Sequence, residues 1–350
     1  MIYMETAYKK AMDAVMLSGQ RGIMPQSPGA IYGPGMDAGG TSTGLVFLAG
    51  ELEKQDPRLL EPMTSLTAPR DIDMKPGGGW TSITSNVFVD YATSGSDEDS
   101  IIGSETNNIP VSQANISKDV FKVHTFSEIL RVPLFDELKL QQIGKSLSTI
   151  LDTGIRLQHS KMIDRNVYVG ISKTGTYGLI NNPLIVAANA ALGASASRLW
   201  VNKTPTEIMN DINQLLTNTV IASGYDLSGM ASRILIDWSN YGYIANTPVT
   251  IAGTQSILSY LLENNIATKQ GRPLEIFPLQ WCTGAGVGGT QRMMAYVKEE
   301  SKVNIDLPVP LSRVMTAPNT TSGSYETIFA SQFSQVKFLF YTCAAYTDGI

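Results

Sequence analysis

LFDELKLQQIGKSLSTILDTGIRLQHSKMIDRNVY, residues 134–168, is the stretch around which the chain is organised. Apolar residues return at Leu134, Leu138, Leu147, Ile150, Leu151, Ile155, Met162 and Ile163, mostly at spacings of three, four and seven. Such spacing draws one apolar stripe along a helix. Pro133 stands just before the pattern, where proline is tolerated, and Gly170 just after it, where glycine stops a helix. At about 1.5 Å per residue this helix would run roughly 50 Å, against an average of about 11 to 12 residues in globular proteins. Asp136, Lys139, Lys145, Asp152, Arg156 and Asp164 exclude a membrane span. Gly144, Gly154 and the lapsed heptad exclude a regular coiled coil. The stretch reads as a spine across which other elements pack.

The 350-residue chain is long enough for one large domain or two ordinary ones. Charged residues make up 16%, below the usual quarter or so of soluble domains, and Ser, Thr, Asn and Gly fill the gap. That composition suits surfaces that meet other protein. A net charge of −5 argues against a nucleic-acid grip, which needs a basic face. Cys282 and Cys343 sit in apolar, strand-like settings and read as buried thiols, too few for a disulfide framework or a zinc site. No signal peptide opens the chain and no apolar run reaches 18 residues, so a soluble protein made in the cytoplasm is expected.

Outward from the spine, residues 1–75 read as irregular. A short amphipathic helix over 5–17 precedes a Gly-, Pro- and Met-rich stretch that cannot build a core, with apolar anchors at 45–48 and 59–63. This is an extended arm that gains order by lying on something else. Gly77, Gly78 and Gly79 mark a hinge, after which residues 83–92 alternate as a strand, 93–108 form a polar tip and 109–132 a second extended element. Together they make an extended hairpin. Residues 81–117 hold five acids, Asp90, Asp97, Glu98, Asp99 and Glu105, and no Lys or Arg. Residues 131–165 hold six bases, Arg131, Lys139, Lys145, Arg156, Lys161 and Arg165, against four acids. The hairpin and the spine of a neighbouring copy are therefore candidate electrostatic partners.

Beyond the spine, the glycines after residue 169 and Asn181-Asn182-Pro183 make a structured turn. Thr204, Pro205 and Glu207 form a capping box that opens a helix to about residue 221. A buried-type strand is expected at 233–236, a helix at 256–263, and strands at 274–281, 292–298, 303–307, 327–329 and 336–346. The mixture argues α+β.

That order of elements resembles the major capsid proteins of tailed bacteriophages, with the Hong Kong 97-type fold. Gly170, Gly175, Gly178, Leu179, Asn181, Asn182 and Pro183 look like the turn after the spine in one branch of these proteins. TPTEIMNDINQLL at 204–216 looks like the first axial-domain helix, and YTDGI at 346–350 like the ending of that branch. The resemblance implies an N-terminal arm over 1–80, an extended loop over 81–118 that reaches a neighbouring subunit, a peripheral domain with a long spine helix over 119–180 and 303–350, and an axial domain over 181–302. It implies a non-enzymatic shell subunit with no cofactor and no metal, forming hexamers and pentamers around double-stranded DNA without sequence-specific binding. Portal, scaffolding and decoration proteins are its implied partners, with no membrane, and its place is the virion capsid, assembled in the host cytoplasm. A large fused scaffolding segment is expected to be absent or already removed. An encapsulin-like nanocompartment is the nearest alternative, and an α+β enzyme a more distant one.

Catalytic motifs do not hold up on the residues. GAGVGG at 284–289 matches GxGxxG, but TQRMMAYV follows as a strand, where a dinucleotide site needs a helix N-terminus. GTSTG at 40–44 matches GxSxG without the strand before and helix after that a nucleophile elbow requires. The two histidines, His124 and His159, read as structural residues on a strand and on the spine. Asp97-Glu98-Asp99 lacks EF-hand spacing and reads as a solvated tip. Asn115, Asn202 and Asn319 head glycosylation triplets in a chain with nothing to route it to secretion.

Overall fold

A computed structural model describes residues 65–94, 101, 109–142, 146–250 and 253–350. The expected helix at 5–17, the GxSxG match, the anchors at 45–48 and 59–63, and Asp97, Glu98, Asp99, Glu105 and Lys145 lie outside the described residues. The elements follow in order: α1 (Ala68–Asp71), β1 (Asp73–Pro76), β2 (Ile83–Thr93), β3 (Ser112–Pro133), α2 (Leu134–Gln142), α3 (Leu147–Val169), β4 (Val186–Asn189) and α4 (Pro205–Ala222). Then come β5 (Arg233–Ile236), α5 (Trp238–Asn246), α6 (Ile257–Asn264), α7 (Ile266–Lys269), β6 (Glu275–Pro278) and β7 (Arg292–Tyr296). The last are β8 (Val303–Leu307), β9 (Val309–Asn319), β10 (Ser324–Ser334), β11 (Lys337–Phe338) and β12 (Ala344–Asp348). The strands form three sheets, in the orders β1-β8-β11, β2-β3-β10-β9 and β4-β12-β7-β5-β6.

The spine is two helices rather than one. Ser146, ahead of α3, is extended (φ −106°, ψ 121°), so α2 ends before α3 begins. Glu137 of α2 joins them: its carboxylate accepts from the Ser148 N–H and the Ser146 hydroxyl, both at 3.1 Å, and so caps the first turn of α3. The expected stripe is buried only toward its C-terminal half. Ile155 and Ile163 are buried, Leu147, Ile150, Leu151 and Met162 half-buried, and Leu134 and Leu138 exposed.

The five-stranded sheet explains why RILI and RMMAY read as continuous apolar runs. Ile234, Ile236, Met293 and Ala295 point into a core with α4 and α6, through Ile208, Ile212, Leu216 and Leu261. Leu235, Met294 and Tyr296 point the other way, onto Tyr168, Ile180, Ile305 and Phe338. A sheet covered on both faces leaves no polar alternation to read. The capping box is as expected: the Glu207 carboxylate accepts from the Thr204 N–H at 2.8 Å and the Thr204 hydroxyl from the Glu207 N–H at 3.4 Å. GAGVGG is a turn that leads into β7, with no helix after it. Sequence reasoning misses α5 and β9, and it makes one strand of 336–346, where β11, a short 3-10 turn and β12 stand.

The second difference concerns residues 65–76, read as part of an irregular arm. They form α1 and β1, and Ala68 and Ile72 are buried in the core beneath Tyr168. Their partners are distant in sequence. Asp164 of α3 accepts from the N–H groups of Thr67 (2.6 Å) and Ala68 (2.8 Å), which caps α1. Asp71, fully buried, accepts from the Tyr168 hydroxyl at 2.6 Å and from the Arg70 guanidinium at 2.7 and 2.8 Å. Arg233 lies 3.5 Å from the same carboxylate. β1 then pairs in parallel with β8.

Candidate assembly interface

The two strands of the hairpin pair as expected, β2 against β3 in antiparallel register from Ile83 opposite Lys122 to Thr93 opposite Ser112, while residues 95–100 and 102–108 of the expected tip lie outside the described residues. β3 then changes partner: from Val123 to Pro133 it pairs with β10. One 22-residue strand therefore belongs both to the hairpin and to the four-stranded sheet.

Directly opposed residues of an antiparallel pair share a face. One face carries Ile83, Val87, Val89 and Tyr91 of β2 beside Ile116, Lys118, Val120 and Lys122 of β3. Continued along β3, this face becomes His124, Phe126, Glu128, Leu130 and Val132. There it packs beneath α3, with Leu130, Val132 and Phe329 gathered around Ile155. In the hairpin no element among the described residues covers it: Val87 is 63% exposed, Tyr91 79%, Ile116 73% and Val120 54%. It is an apolar row on β2 and β3, interrupted by Ser85, Lys118 and Lys122. The opposite face is anchored at its root, where the Phe88 ring meets Phe340 edge-on at 6.1 Å and Phe121 is buried beside the Lys337 ammonium. The Lys122 ammonium donates to the Thr174 carbonyl at 2.8 Å. On the β2 side, the root is Gly77-Gly78-Gly79, all at positive φ (109°, 114° and 70°), a backbone that residues with a Cβ rarely adopt.

Of the acids expected to make contacts, Asp90 is exposed on the hairpin opposite Asn115. Among the bases, Lys139 pairs with Asp136 at 3.2 Å and Arg156 with Asp152 at 2.9 Å. Arg313 also reaches Asp152 at 3.0 Å, and the Arg156 bond, followed by that of Arg313, holds the Asp152 carboxyl below its ordinary range. Arg131 pairs with Glu326 across the β3–β10 sheet. Lys161 and Arg165 make no ion pair among the described residues. The alternation at 83, 87, 89 and 91 marks β2 as a strand, and the register with β3 adds Ile116 and Val120 to the same face. That period-two pattern was the available signal for the apolar face.

After the spine, the turn closes tightly. The Gly178 N–H donates to the Asn181 side chain at 2.8 Å, and the Asn181 amide donates to the Val169 carbonyl at 2.7 Å. A Cβ on Gly178 would overlap the Tyr168 backbone. Both cysteines are buried free thiols.

Comparison with known proteins places this geometry. A family model described as "Major capsid protein" matches residues 97–350. The capsid of Myoviridae phage XM1 is similar at 17% identity and a TM-score of 0.70, over 86% of this chain and 98% of that one. Microbacterium phage Oxtober96 gives 12% identity and a TM-score of 0.58, over 88% and 97%. The capsid of a native GTA particle gives 10% identity and a TM-score of 0.57, over 85% and 94%. No curated protein matches the chain.

Proposed function

The chain belongs to the major capsid protein family, a structural shell protein with the fold of phage capsids, and from that premise we propose that its copies close into an icosahedral shell around double-stranded DNA. The hexamers and pentamers of that shell are joined by the hairpin, whose apolar face settles on the neighbouring copy. The exposed row Val87, Val89, Tyr91, Ile116 and Val120 carries this reading. Each such side chain, once fully covered, contributes on the order of 1.5–3 kcal/mol. Charges sit around that contact: Asp90, Asp97, Glu98, Asp99 and Glu105 of one copy approach the helical bases Lys139, Lys145, Arg156, Lys161 and Arg165 of the next. Lys161 and Arg165 are the strongest of these, since Lys139 and Arg156 already have acidic partners at home.

The division of labour is an arm over 1–80 whose α1 and β1 dock into the subunit's own core, an extended loop over 81–118, a peripheral domain over 119–180 and 303–350, and an axial domain over 181–302 around the capsomer centre. The C-terminal strand β12 ties the two together, because it pairs with β7 and β4 in the axial sheet. The role is structural rather than catalytic. Portal, scaffolding and decoration proteins are further partners, and assembly takes place in the host cytoplasm. The acidic balance keeps the wall from gripping packed DNA. The test is negative-stain microscopy and sedimentation of the purified protein beside a Val87→Asp, Val89→Asp variant. Closed shells from the parent and free, folded subunits from the variant are expected. Normal shells from the variant would remove the hairpin from the contact.

A further inference from the structure

The chain has only two histidines, and the fold brings both to the root of the hairpin. His124 stands two residues past Lys122, the last β3 residue paired with β2, and lies opposite Phe333 of β10. Its ring tilts against Phe333 with centroids 5.6 Å apart, and its buried Nε2 has no hydrogen-bond partner among the described residues. His159, buried on α3, holds its Nε2 2.7 Å from the Ser331 hydroxyl, which is itself fully buried. Phe126 lies between them, two residues along the same face of β3, with its ring edge-on to His159 at 5.1 Å. Ser331 is opposite Phe126 in the β3–β10 register. β3, β10 and α3 thus meet just past the hairpin's root at two imidazoles and the rings between them.

Neutral imidazoles suit this place. A second ring N–H on His124 would add a buried donor with no acceptor, beside the like charge of Lys122. The charged groups on the packed elements are Lys118, Asp119, Lys122, Glu128 and Arg131 on β3, Asp152, Arg156, Lys161, Asp164 and Arg165 on α3, Glu326 on β10, and the Asp306–Lys337 pair near Ser334. β10 has no charged residue between Glu326 and its end. Among the described residues no carboxylate hydrogen-bonds either ring, so the imidazolium gains no ion pair there, and His159 has only the neutral Ser331 hydroxyl.

We propose that His124, Phe126, His159 and Ser331 form an acid-operated latch, which fixes the hairpin's direction while both rings are neutral and frees it when they take up protons. Burial, and for His124 also Lys122, holds both rings below the ordinary histidine range. The folded state therefore binds fewer protons than the unfolded state below about pH 6.5, and the latch's stabilisation falls as pH falls. At the other strand's root, Gly77-Gly78-Gly79 have open space where a Cβ would stand, a backbone that can turn with β2. The latch is a property of the single subunit, and it rests on the proposed hairpin contact only for its effect on shells.

The experiment is hydrogen exchange by mass spectrometry on unassembled full-length subunits, at about pH 7.5 and about pH 5.5, corrected for intrinsic rates. Wild-type peptides spanning 119–128 and 327–335 are expected to exchange about tenfold faster at the lower pH. The H124Q, H159Q double variant should lose that acceleration. Equal acceleration in the double variant, or none in wild type, overturns the latch. Should the double variant fail to fold, proton NMR titration of the two wild-type rings decides. Midpoints below about 6.5 uphold the latch, and midpoints at or above it overturn it. Neither readout requires shells, so failure here is separate from failure of the hairpin contact.

Discussion

Lys203 and Asp211 form the most deeply buried ion pair among the described residues. Their side chains are 1% and 3% exposed, 2.5 Å apart, and the same carboxylate accepts from the Trp200 indole at 3.0 Å. Removing one partner strands a charge. Lys203→Met should therefore cost about 3–5 kcal/mol, while Lys203→Met with Asp211→Leu should recover much of it, both read from urea midpoints. Gly178 makes a second case at this scale. Its added Cβ would meet the backbone of Tyr168 rather than the end of a flexible side chain. Gly178→Ala should lower stability by about 1–3 kcal/mol in the same measurement, and an unchanged midpoint would show that the turn can open. Sequence could nominate Gly178 as part of a turn, but not the carbonyl it must clear. That carbonyl belongs to a helix ten residues earlier and is placed by the fold.

Elements with local causes were legible. Period-two alternation located β2 and most of β3, the Thr204 box located α4, and glycine punctuation located the turns. What escaped depends on partners far along the chain. α1 is four residues long and is capped by Asp164, so no local pattern marks it. The break between α2 and α3 is stabilised by Glu137, which reads as an ordinary surface acid. At the candidate site, charge was visible in the sequence, whereas the bare core face required the register with β3. For α3, Leu151 is half-buried against the Leu130–Phe329 cluster and Ile155 is buried within it. Ile155→Asp should therefore destabilise more than Leu151→Asp, with the first lost from soluble expression and the second only lowered in melting temperature. Equal melting temperatures would refute this packing. Salt separates the two contributions at the hairpin. Screening weakens the rim charges, while apolar burial survives it, so assembly should persist in about 1 M NaCl if the face dominates. Shell yield by light scattering at both ionic strengths reads this out.

For the molecule as a whole, β3 joins two regions with different surroundings, a hairpin with an exposed apolar face and a sheet packed under α3. Wild-type subunits should lose melting temperature between about pH 7 and about pH 5.5, beyond the loss in H124Q, H159Q, because both rings titrate below their unfolded value. The same layout has a consequence for the subunit before it meets its neighbours. Among the described residues β2 is an edge strand, ITSNVFVDYAT, with a single charge, Asp90, and no proline over its 11 residues. Its outer row of peptide groups and its valine-rich side face are together the template on which cross-β aggregates grow. Capsid closure would then compete with amyloid-like deposition for the same strand, with Asp90 the one charge on β2 itself and Lys118 and Lys122 the charges beside its valine face. A chain made faster than it is consumed by shells would stain with thioflavin and be lost, so the rate of synthesis, and not only the affinity of the contact, sets how much of it ends as capsid.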